Sequence, residues 1–280
     1  MHKPVMLKET IKFLDIKQDG LYLDLTYGIG GHSNEISKYL NKHGTLISID
    51  KDTLAYILAK KSNKSNIFNM SFNEFKTESN FFKNVDGIIL DLGLSLEQII
   101  DPKMGLSFYK NTHLDMRLNN KQKLRASDWI NFVNEKDLKL FLNFFMEENI
   151  SKIISKNIII FRKKKKIKTS KDLCYIIMKS INQKDNFKNI SKIFTLIKIL
   201  INNELFLLSL LLNNIKNLMK KKSHLIVISF NSFEDKIVKN YIFNKKNLYK
   251  FKHISNRPNV NELNKNYPSR NAVMHILKKN

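Results

Sequence analysis

A glycine-rich turn between a predicted strand and a predicted helix constrains the fold of this chain more than any other feature. Residues 21–26 read Leu-Tyr-Leu-Asp-Leu-Thr, which predicts a buried strand, and the glycine cluster at 28–31 follows before a helix predicted over 33–40. Glycines there let the backbone turn tightly and let a ligand approach the main chain and the helix N-terminus. The pattern predicts a nucleotide-type site at the carboxyl end of a strand.

Short β-like runs alternate with helix-like segments in the first third of the chain, as in a parallel sheet with crossover helices. The further predicted strands cover residues 45–50, 67–70, 85–92, 225–230, 248–254 and 272–277. The further predicted helices cover residues 53–61, 126–133, 135–148, 150–162, a segment from Ser170, 204–222 and 232–243. These patterns predict a doubly wound α/β fold interrupted by a helical insertion. We expect residues 1–104 and 204–280 to form a cofactor-binding core, and residues 105–203 to form the insertion.

Two carboxylates end predicted strands of this sheet. Asp50 closes the second strand, where a carboxylate can accept hydrogen bonds from a ribose diol, and Asp91 closes the fourth. Counted from Gly28, the third glycine of a dinucleotide G-x-G-x-x-G pattern is replaced by Ser33. These features favour the nucleoside site of a methyltransferase over that of a hydride-transfer enzyme.

Two neighbours of the turn have alternative roles. Asp24 either hydrogen-bonds the glycine turn or contacts the ligand, and His32 either contacts the cofactor or caps the turn. No second His, Cys or carboxylate lies at ligand spacing from His32, so we expect no required metal.

The chain is strongly basic, with 49 Lys and Arg, 25 Asp and Glu and a formal net charge of +24. Such a charge makes nucleic acid the first partner to consider. However, nearly all the basic residues are Lys, and Asn and Ile are also abundant, which indicates a biased gene composition that would add charge to any protein. Cys174 is the only cysteine, no signal peptide is apparent, and the most apolar stretch is too short for a bilayer. We therefore expect a cytoplasmic protein without a membrane partner.

The chain resembles the bacterial 16S ribosomal RNA cytosine-N4 methyltransferase family, also called MraW, nearly from end to end. The Gly-Gly-His turn and the Leu-Asp-Met-Arg segment are its most specific motifs. The matching segments lie at residues 2–9, 24–33, 86–93, 107–108, 114–117, 202–205 and 228–239.

The resemblance implies a class I methyltransferase fold in which the helical insertion recognises the substrate. It implies methylation of a cytidine amine in the decoding region of 16S ribosomal RNA, with S-adenosylmethionine as cofactor and the small ribosomal subunit as partner. By matched position it also implies a set of cofactor contacts, in which Phe72 packs on the adenine unless it is ordinary core. That set is Gly30, Gly31, His32, Asp50, Phe72, Asp91 and Gln98.

The chain departs from the family pattern in several segments. Residues 95–98, 192–196, 230–232 and 268–270 differ from the usual motifs, and several arginines are missing. Replacing Arg by Lys removes the paired N–H donors that bind a phosphate at two points. We therefore expect weaker RNA binding or a less precise position of the RNA. The glycine turn, Asp50 and Asp91 are unaffected.

Catalysis would need an acceptor for a proton of the amine, and Asp115 is our candidate, with Arg117 binding a phosphate. The alternative is an Asp115–Arg117 pair that organises the first loop of the insertion. The basic run 162–166, beginning at Arg162, either binds RNA backbone or is a solvated helix end.

Two rival functions remain open. One is a methyltransferase acting on a protein or small molecule, and the other is a non-catalytic RNA-binding protein on a decayed methyltransferase scaffold. The sequence also leaves the oligomeric state open, with a dimer as one alternative.

Overall fold

The computed structural model describes residues 3–61, 66–71, 74, 84–94, 98–99, 101–181, 186–244 and 251–280. The chain divides into two compact units, unit 1 (residues 1–95 and 204–280) and unit 2 (residues 96–203). The division falls earlier than the sequence-based position at Met104. Met104 itself lies in unit 2: the Met116 amide donates to its carbonyl at 2.8 Å, and the Leu114 and Met116 side chains are fully buried in the unit 2 core.

Seven strands form one sheet in unit 1. They are β1 (Leu21–Asp24), β2 (Thr45–Asp50), β3 (Ile67–Asn69), β4 (Val85–Asp91), β5 (Met219–Ser229), β6 (Phe251–Asn256) and β7 (Val273–Lys279). The order is β3-β2-β1-β4-β5-β7-β6, in which the first five strands are parallel and β7 runs antiparallel to both β5 and β6. The predicted fold class, a doubly wound α/β sheet, is confirmed.

The described helices, in chain order, are α1 (Leu7–Leu14), α2 (Gly31–Tyr39), α3 (Thr53–Lys61), α4 (Ala126–Phe132), α5 (Glu135–Asn143), α6 (Glu148–Lys164), α7 (Ser170–Ser180), α8 (Asn186–Ile201), α9 (Glu204–Ile215), α10 (Ser232–Phe243) and α11 (Val260–Lys265). A 3₁₀ turn covers Tyr267–Asn271. Helices α4 to α8 belong to unit 2. Among the described residues, no single helix is long and apolar enough to span a bilayer.

The unit 1 sheet is covered on both faces, which explains its continuous apolar strands. Alternate residues of β4 point in opposite directions: Ile88 and Leu90 join a core that also contains Leu208 and Leu212 of α9, whereas Ile89 joins the core on the other face. That second core includes Leu14 of α1 and Ile36 of α2. Burial on both faces fixes the register of the strands, and therefore where each strand ends.

The lysine-rich segment after α9 is extended, so the predicted helix over 204–222 is wrong beyond Ile215. Met219 pairs with Val85 of β4, and the Lys220 ammonium donates to the buried Asp86 carboxylate at 2.7 Å. Strand pairing and a buried acceptor therefore override the local helical pattern.

Unit 2 has its own apolar core, built from one stripe of each helix. Its fully buried members include Leu114, Ile130, Ile158, Leu173 and Ile177. The Asn202 side chain closes the core at its end, because it accepts the Leu118 amide at 2.9 Å and donates to the Met116 carbonyl at 2.8 Å.

Candidate functional site

The glycine turn between β1 and α2 has the backbone geometry that the sequence predicted. Gly30 lies in the left-handed region at φ 81° and precedes the first residue of α2, a conformation that costs a residue with a side chain about 1–2 kcal/mol. Gly31 is close to the N-terminal segment: a Cβ atom there would lie 2.3 Å from Pro4 Cγ. The turn therefore needs glycine at 30 for its conformation and at 31 for space.

Asp24 organises the turn from inside the sheet. Its fully buried carboxylate accepts the Ser33 hydroxyl at 2.6 Å and the Thr26 amide at 3.1 Å, and Ser33 in turn lies 2.8 Å from the Ser48 hydroxyl of β2. Burial raises the pKa of Asp24, and the hydrogen bond from Ser33 opposes that rise. Of the two roles predicted for Asp24, these contacts favour the one in which it holds the glycine turn by hydrogen bonds.

Asp50 sits at the end of β2, opposite the same turn. Its carboxylate accepts the Gly28 amide at 2.6 Å through one oxygen and the Asp52 amide at 2.8 Å through the other. Burial raises the pKa of Asp50 to about 6, despite these two donors. Each carboxylate oxygen has a second lone pair, so Asp50 can still accept one further hydrogen bond at each oxygen.

His32 and Asp91 face each other across the mouth of the turn. His32 Nε2 lies 3.3 Å from Asp91 Oδ2 without hydrogen-bond alignment, and the Asp91 amide donates to the Thr26 hydroxyl at 2.6 Å. Among the described residues, both ring nitrogens of His32 and the Asp91 Oδ1 atom are buried without a hydrogen-bond partner. Buried polar atoms without partners are costly, so these three indicate a site completed by something other than the described chain.

A small, open cavity of about 50 Å³ lies against these groups. Its polar side is formed by the glycine turn, His32 and Asp91, and its apolar side by Pro4, Phe230 and Pro268. The sequence reasoning did not assign these three apolar residues. The only signal for Pro4 was its place in the matched segment 2–9.

Two further predicted cofactor contacts, Phe72 and Gln98, stay predictions. Phe72 is outside the described residues, so its role stays a prediction. Gln98 is partly buried and belongs to unit 2. Within the described ranges, no group of three His, Cys, Asp or Glu side chains lies together in a way that could hold a metal ion.

Asp115 and Arg117 form a close pair within unit 2. The Arg117 guanidinium donates to both carboxylate oxygens, at 2.6 Å from Nε and 2.8 Å from Nη2, and also donates to the Asn120 and Gln122 carbonyls. Burial acts to raise the pKa of Asp115, but the hydrogen bonds and charge of Arg117 outweigh it and lower that pKa. The pair therefore holds its own loop, as the alternative interpretation expected, and keeps Asp115 ionised.

Arg162 is used inside unit 2. Its Nη1 donates to the carbonyls of Ile130 at 2.9 Å and Val133 at 2.6 Å, at the C-terminal end of α4. A cation there satisfies terminal carbonyls and complements the helix dipole. Its Nη1 is thus occupied by the chain's own backbone.

Comparison with known proteins gives consistent full-length matches. The sequence profile described as the MraW methylase family matches residues 1–280. The chain is 38% identical over 302 residues to "Ribosomal RNA small subunit methyltransferase H" of Buchnera aphidicola subsp. Cinara cedri (strain Cc), covering 98% of both chains. It is 36% identical to the protein of that name from Wigglesworthia glossinidia brevipalpis (100% and 99% covered) and 39% identical to that from Mycoplasmopsis synoviae (strain 53) (99% and 98% covered).

Proposed function

On the premise that the chain belongs to the MraW methylase family, we propose that it methylates the N4 amine of a cytidine in small-subunit ribosomal RNA. All three relatives are named as ribosomal RNA small subunit methyltransferases, and they align with this chain from end to end. The proposed acceptor lies in the decoding region of 16S RNA. Because bacterial small subunits are assembled in the cytoplasm, we place the reaction there.

The cofactor proposal rests on the buried polar atoms of His32 and Asp91 that have no hydrogen-bond partner among the described residues. A methyl donor of the S-adenosylmethionine type carries an ammonium, a carboxylate and a ribose diol. Asp91 Oδ1 is a buried acceptor suited to the ammonium, and the two further lone pairs of Asp50 suit the diol. The glycine turn and the start of α2 suit the carboxylate, because amide donors gather at a helix N-terminus. The residues present fit this cofactor.

When bound, S-adenosylmethionine supplies a methyl group on a positively charged sulfur. The transfer is an in-line displacement, so the chain's main contribution is to align the donor and the amine. The rigid parts of unit 1 suit this alignment, because Asp24 clamps the turn to β2 through Ser33 and Asp50 holds it through the Gly28 amide.

The cytidine amine needs an acceptor for its proton, because its lone pair is delocalised into the ring. We assign this role to Asp115, which Arg117 keeps ionised at neutral pH. The proton becomes strongly acidic once the nitrogen has gained the methyl group, so a carboxylate of low pKa is a sufficient acceptor. Because Arg117 is used to hold Asp115, we do not assign it to a phosphate.

The decisive experiment is a transfer assay with S-adenosylmethionine carrying a labelled methyl group. Acceptors would be small ribosomal subunits, naked 16S RNA, free cytidine and a protein extract cleared of ribosomes. We expect label in 16S RNA, recovered as N4-methylcytidine after digestion to nucleosides. Label confined to protein or small molecules would contradict the RNA substrate, and label in another nucleoside would contradict the N4 assignment. Cofactor binding without transfer to any acceptor would favour the decayed scaffold.

A further inference from the structure

Helices α6 and α7 of unit 2 carry an unusual concentration of positive charge. Residues 148–180 contain ten Lys or Arg and two Asp or Glu, a net +8 out of +24 for the whole chain in about an eighth of its length. A gene-wide bias toward lysine would spread the charge evenly. This clustering therefore indicates a local cause.

The two helices pack against each other. Asn157 Nδ2 donates to the Ser180 hydroxyl at 2.8 Å, and the Phe161 and Tyr175 rings lie 6.2 Å apart between centroids. These contacts join the helices along their length, so their outward stripes adjoin. The exposed basic side chains of these helices are Lys152, Lys156, Lys163, Lys164, Lys171 and Lys179.

The two acidic side chains of the segment do not neutralise this surface. Glu148 pairs with Lys139 of α5 at 2.8 Å, and Asp172 pairs with Lys165 at 3.0 Å while it caps the start of α7. Within the described part of the chain, Lys152, Lys156 and Lys171 form no ion pair with a carboxylate. The surface therefore presents uncompensated charge to solvent.

An aromatic ring lies among these lysines. Tyr175 is 49% exposed, on the same stripe of α7 as Lys171 and Lys179, and the Lys179 ammonium lies 4.7 Å from its ring centroid. Exposed aromatic rings between cationic side chains are typical of single-stranded nucleic acid sites, where a base stacks on the ring and the phosphates meet the cations. A duplex offers no unstacked base to such a ring.

We propose that the lysine face, defined as Lys152, Lys156, Lys171, Tyr175 and Lys179, binds a single-stranded segment of the substrate RNA. This rests on the proposed function and adds to it the surface that holds the RNA. The lysines bind successive phosphates and Tyr175 stacks on one base. Arg162 takes no part, because its guanidinium serves α4.

The test is binding of a fluorescent single-stranded oligouridylate by anisotropy over a series of salt concentrations. One variant replaces Lys152, Lys156, Lys171 and Lys179 by Gln. A matched control loses the same charge from unit 1, through Gln at the exposed positions Lys8, Lys42, Lys221 and Lys236. We expect the slope of log Kd against log salt to flatten by roughly 0.7 for each phosphate that the first variant no longer binds, and to stay near wild type in the control.

A second variant isolates the aromatic contribution. Tyr175→Leu should weaken RNA binding by about 5- to 100-fold at constant salt slope, because the ring carries no charge. Equal slopes in the two lysine variants, or unchanged affinity in Tyr175→Leu, would overturn the lysine face. S-adenosylmethionine binding is measured on the same samples. A wild type that binds neither the cofactor nor RNA would refute the proposed function, whereas one that binds the cofactor leaves only the lysine face in question.

A different observation, in unit 1, concerns the N-terminal segment. The Met6 amide donates to Glu262 Oε1 at 2.7 Å, and Asn266 Nδ2 donates to the Lys3 carbonyl at 3.2 Å. Met6 holds a left-handed conformation at φ 52°, which is strained for a residue with a side chain. Residues 3–6, here termed the strap, are thus fastened to α11 and the residue that follows it.

The strap also forms one wall of the unit 1 cavity. Pro4 and Val5 line it, and Pro4 packs so closely on Gly31 that no side chain fits between them. We infer that Glu262, which touches no cavity atom itself, is a positioning residue that holds the strap in place for the proposed cofactor.

The test pairs Glu262→Ala with Glu262→Gln, which keeps the accepting oxygen, and with Asn264→Ala, an exposed control on the same helix. Glu262→Ala should lose hydrogen-exchange protection at the Met6 amide and bind S-adenosylmethionine roughly tenfold more weakly, whereas Glu262→Gln should restore both. A lowered Tm in Glu262→Ala with unchanged cofactor affinity would show a purely structural role and overturn the inference. Absence of binding by the wild type would instead refute the cofactor.

Discussion

The candidate site residues of the two units differ in how their polar groups are satisfied. In unit 1, His32 Nδ1 and Asp91 Oδ1 are buried at the glycine turn without partners among the described residues. In unit 2, Asp115 is bound by Arg117 through both oxygens, and Arg162 is bound by two backbone carbonyls. The incomplete site in unit 1 suits a small ligand that supplies the missing partners. In unit 2, Asp115, Arg117 and Arg162 stabilise the fold of the unit itself. The charges that remain for a large anionic partner are the exposed lysines.

We expect the strongest effect at Asp115, because this residue is held by Arg117 and is also assigned a role in proton transfer. Asp115→Asn keeps the size of the side chain but lowers its capacity to take a proton, so methyl transfer should fall about 100-fold or more. The measurement is single-turnover transfer to small ribosomal subunits, with cofactor and RNA affinities as controls. Full turnover with normal RNA binding would reduce Asp115 to a structural partner of Arg117.

Close packing at the glycine turn gives the next effect. Gly31→Ala places a methyl group 2.3 Å from Pro4 Cγ, and such overpacking should lower the free energy of unfolding by about 1–3 kcal/mol. Gly28→Ala is the matched control: no atom lies within 4 Å of its added Cβ, so only the left-handed backbone at φ 55° opposes it, at about 1 kcal/mol. Thermal unfolding compares them, and equal losses would show that the strap does not press on the turn.

The raised pKa of Asp50 predicts a pH dependence confined to unit 1. Because the folded-state pKa of about 6 exceeds that of the unfolded chain, the neutral carboxyl stabilises the fold below about pH 4, and that contribution is lost as the pH rises through 6. Cofactor binding should change in the opposite direction, because only the ionised form accepts both ribose hydroxyls. We expect affinity to fall by up to about tenfold per pH unit below 6 in calorimetry. In Asp50→Asn it should be weak at every pH, and a flat wild-type profile would remove Asp50 from the ribose site.

The smallest effect sharpens the assignment of Arg162. Arg162→Ala removes two hydrogen bonds to the end of α4 and should destabilise the protein by about 1–2 kcal/mol, while the salt slope of RNA binding stays unchanged. Lys164→Ala, on the exposed side of the same helix, should change stability by less than about 0.5 kcal/mol. A flattened salt slope in Arg162→Ala would return this residue to the RNA surface.

Sequence reasoning succeeded where local pattern and tertiary contacts agree. The glycine turn and the strands ending at Asp50 and Asp91 are local features, since apolar runs that end in turn residues predict buried parallel strands. The predicted helix was wrong at Lys220. There the local pattern, a helix that ends in lysines, was outweighed by the pairing of Met219 with Val85 and by the hydrogen bond from Lys220 to the buried Asp86. Asp86 lies 134 residues before Lys220, so a local pattern does not reveal it.

The same distinction applies to the site. The positions of Asp50, His32 and Asp91 around the turn followed from strand ends, because the carboxyl ends of parallel strands meet at one edge. The contributions of Pro4, Phe230 and Glu262 could not be predicted, because each depends on bringing together segments from opposite ends of the chain. The sequence left Arg162 open between RNA backbone and a helix end, because it shows the charge of the residue and not the two carbonyls that Nη1 contacts.

Calorimetric titration with S-adenosylmethionine tests most directly the claim that the unit 1 cavity is a cofactor site. Wild type, Asp50→Ala and Asp91→Ala would be compared with Asp19→Ala, an exposed carboxylate of the same unit. We expect saturable one-site binding by the wild type and by Asp19→Ala, and loss of binding in the other two variants while thermal unfolding shows that they remain folded. Wild-type binding that survives in both Asp50→Ala and Asp91→Ala, or no binding by the wild type, would contradict it.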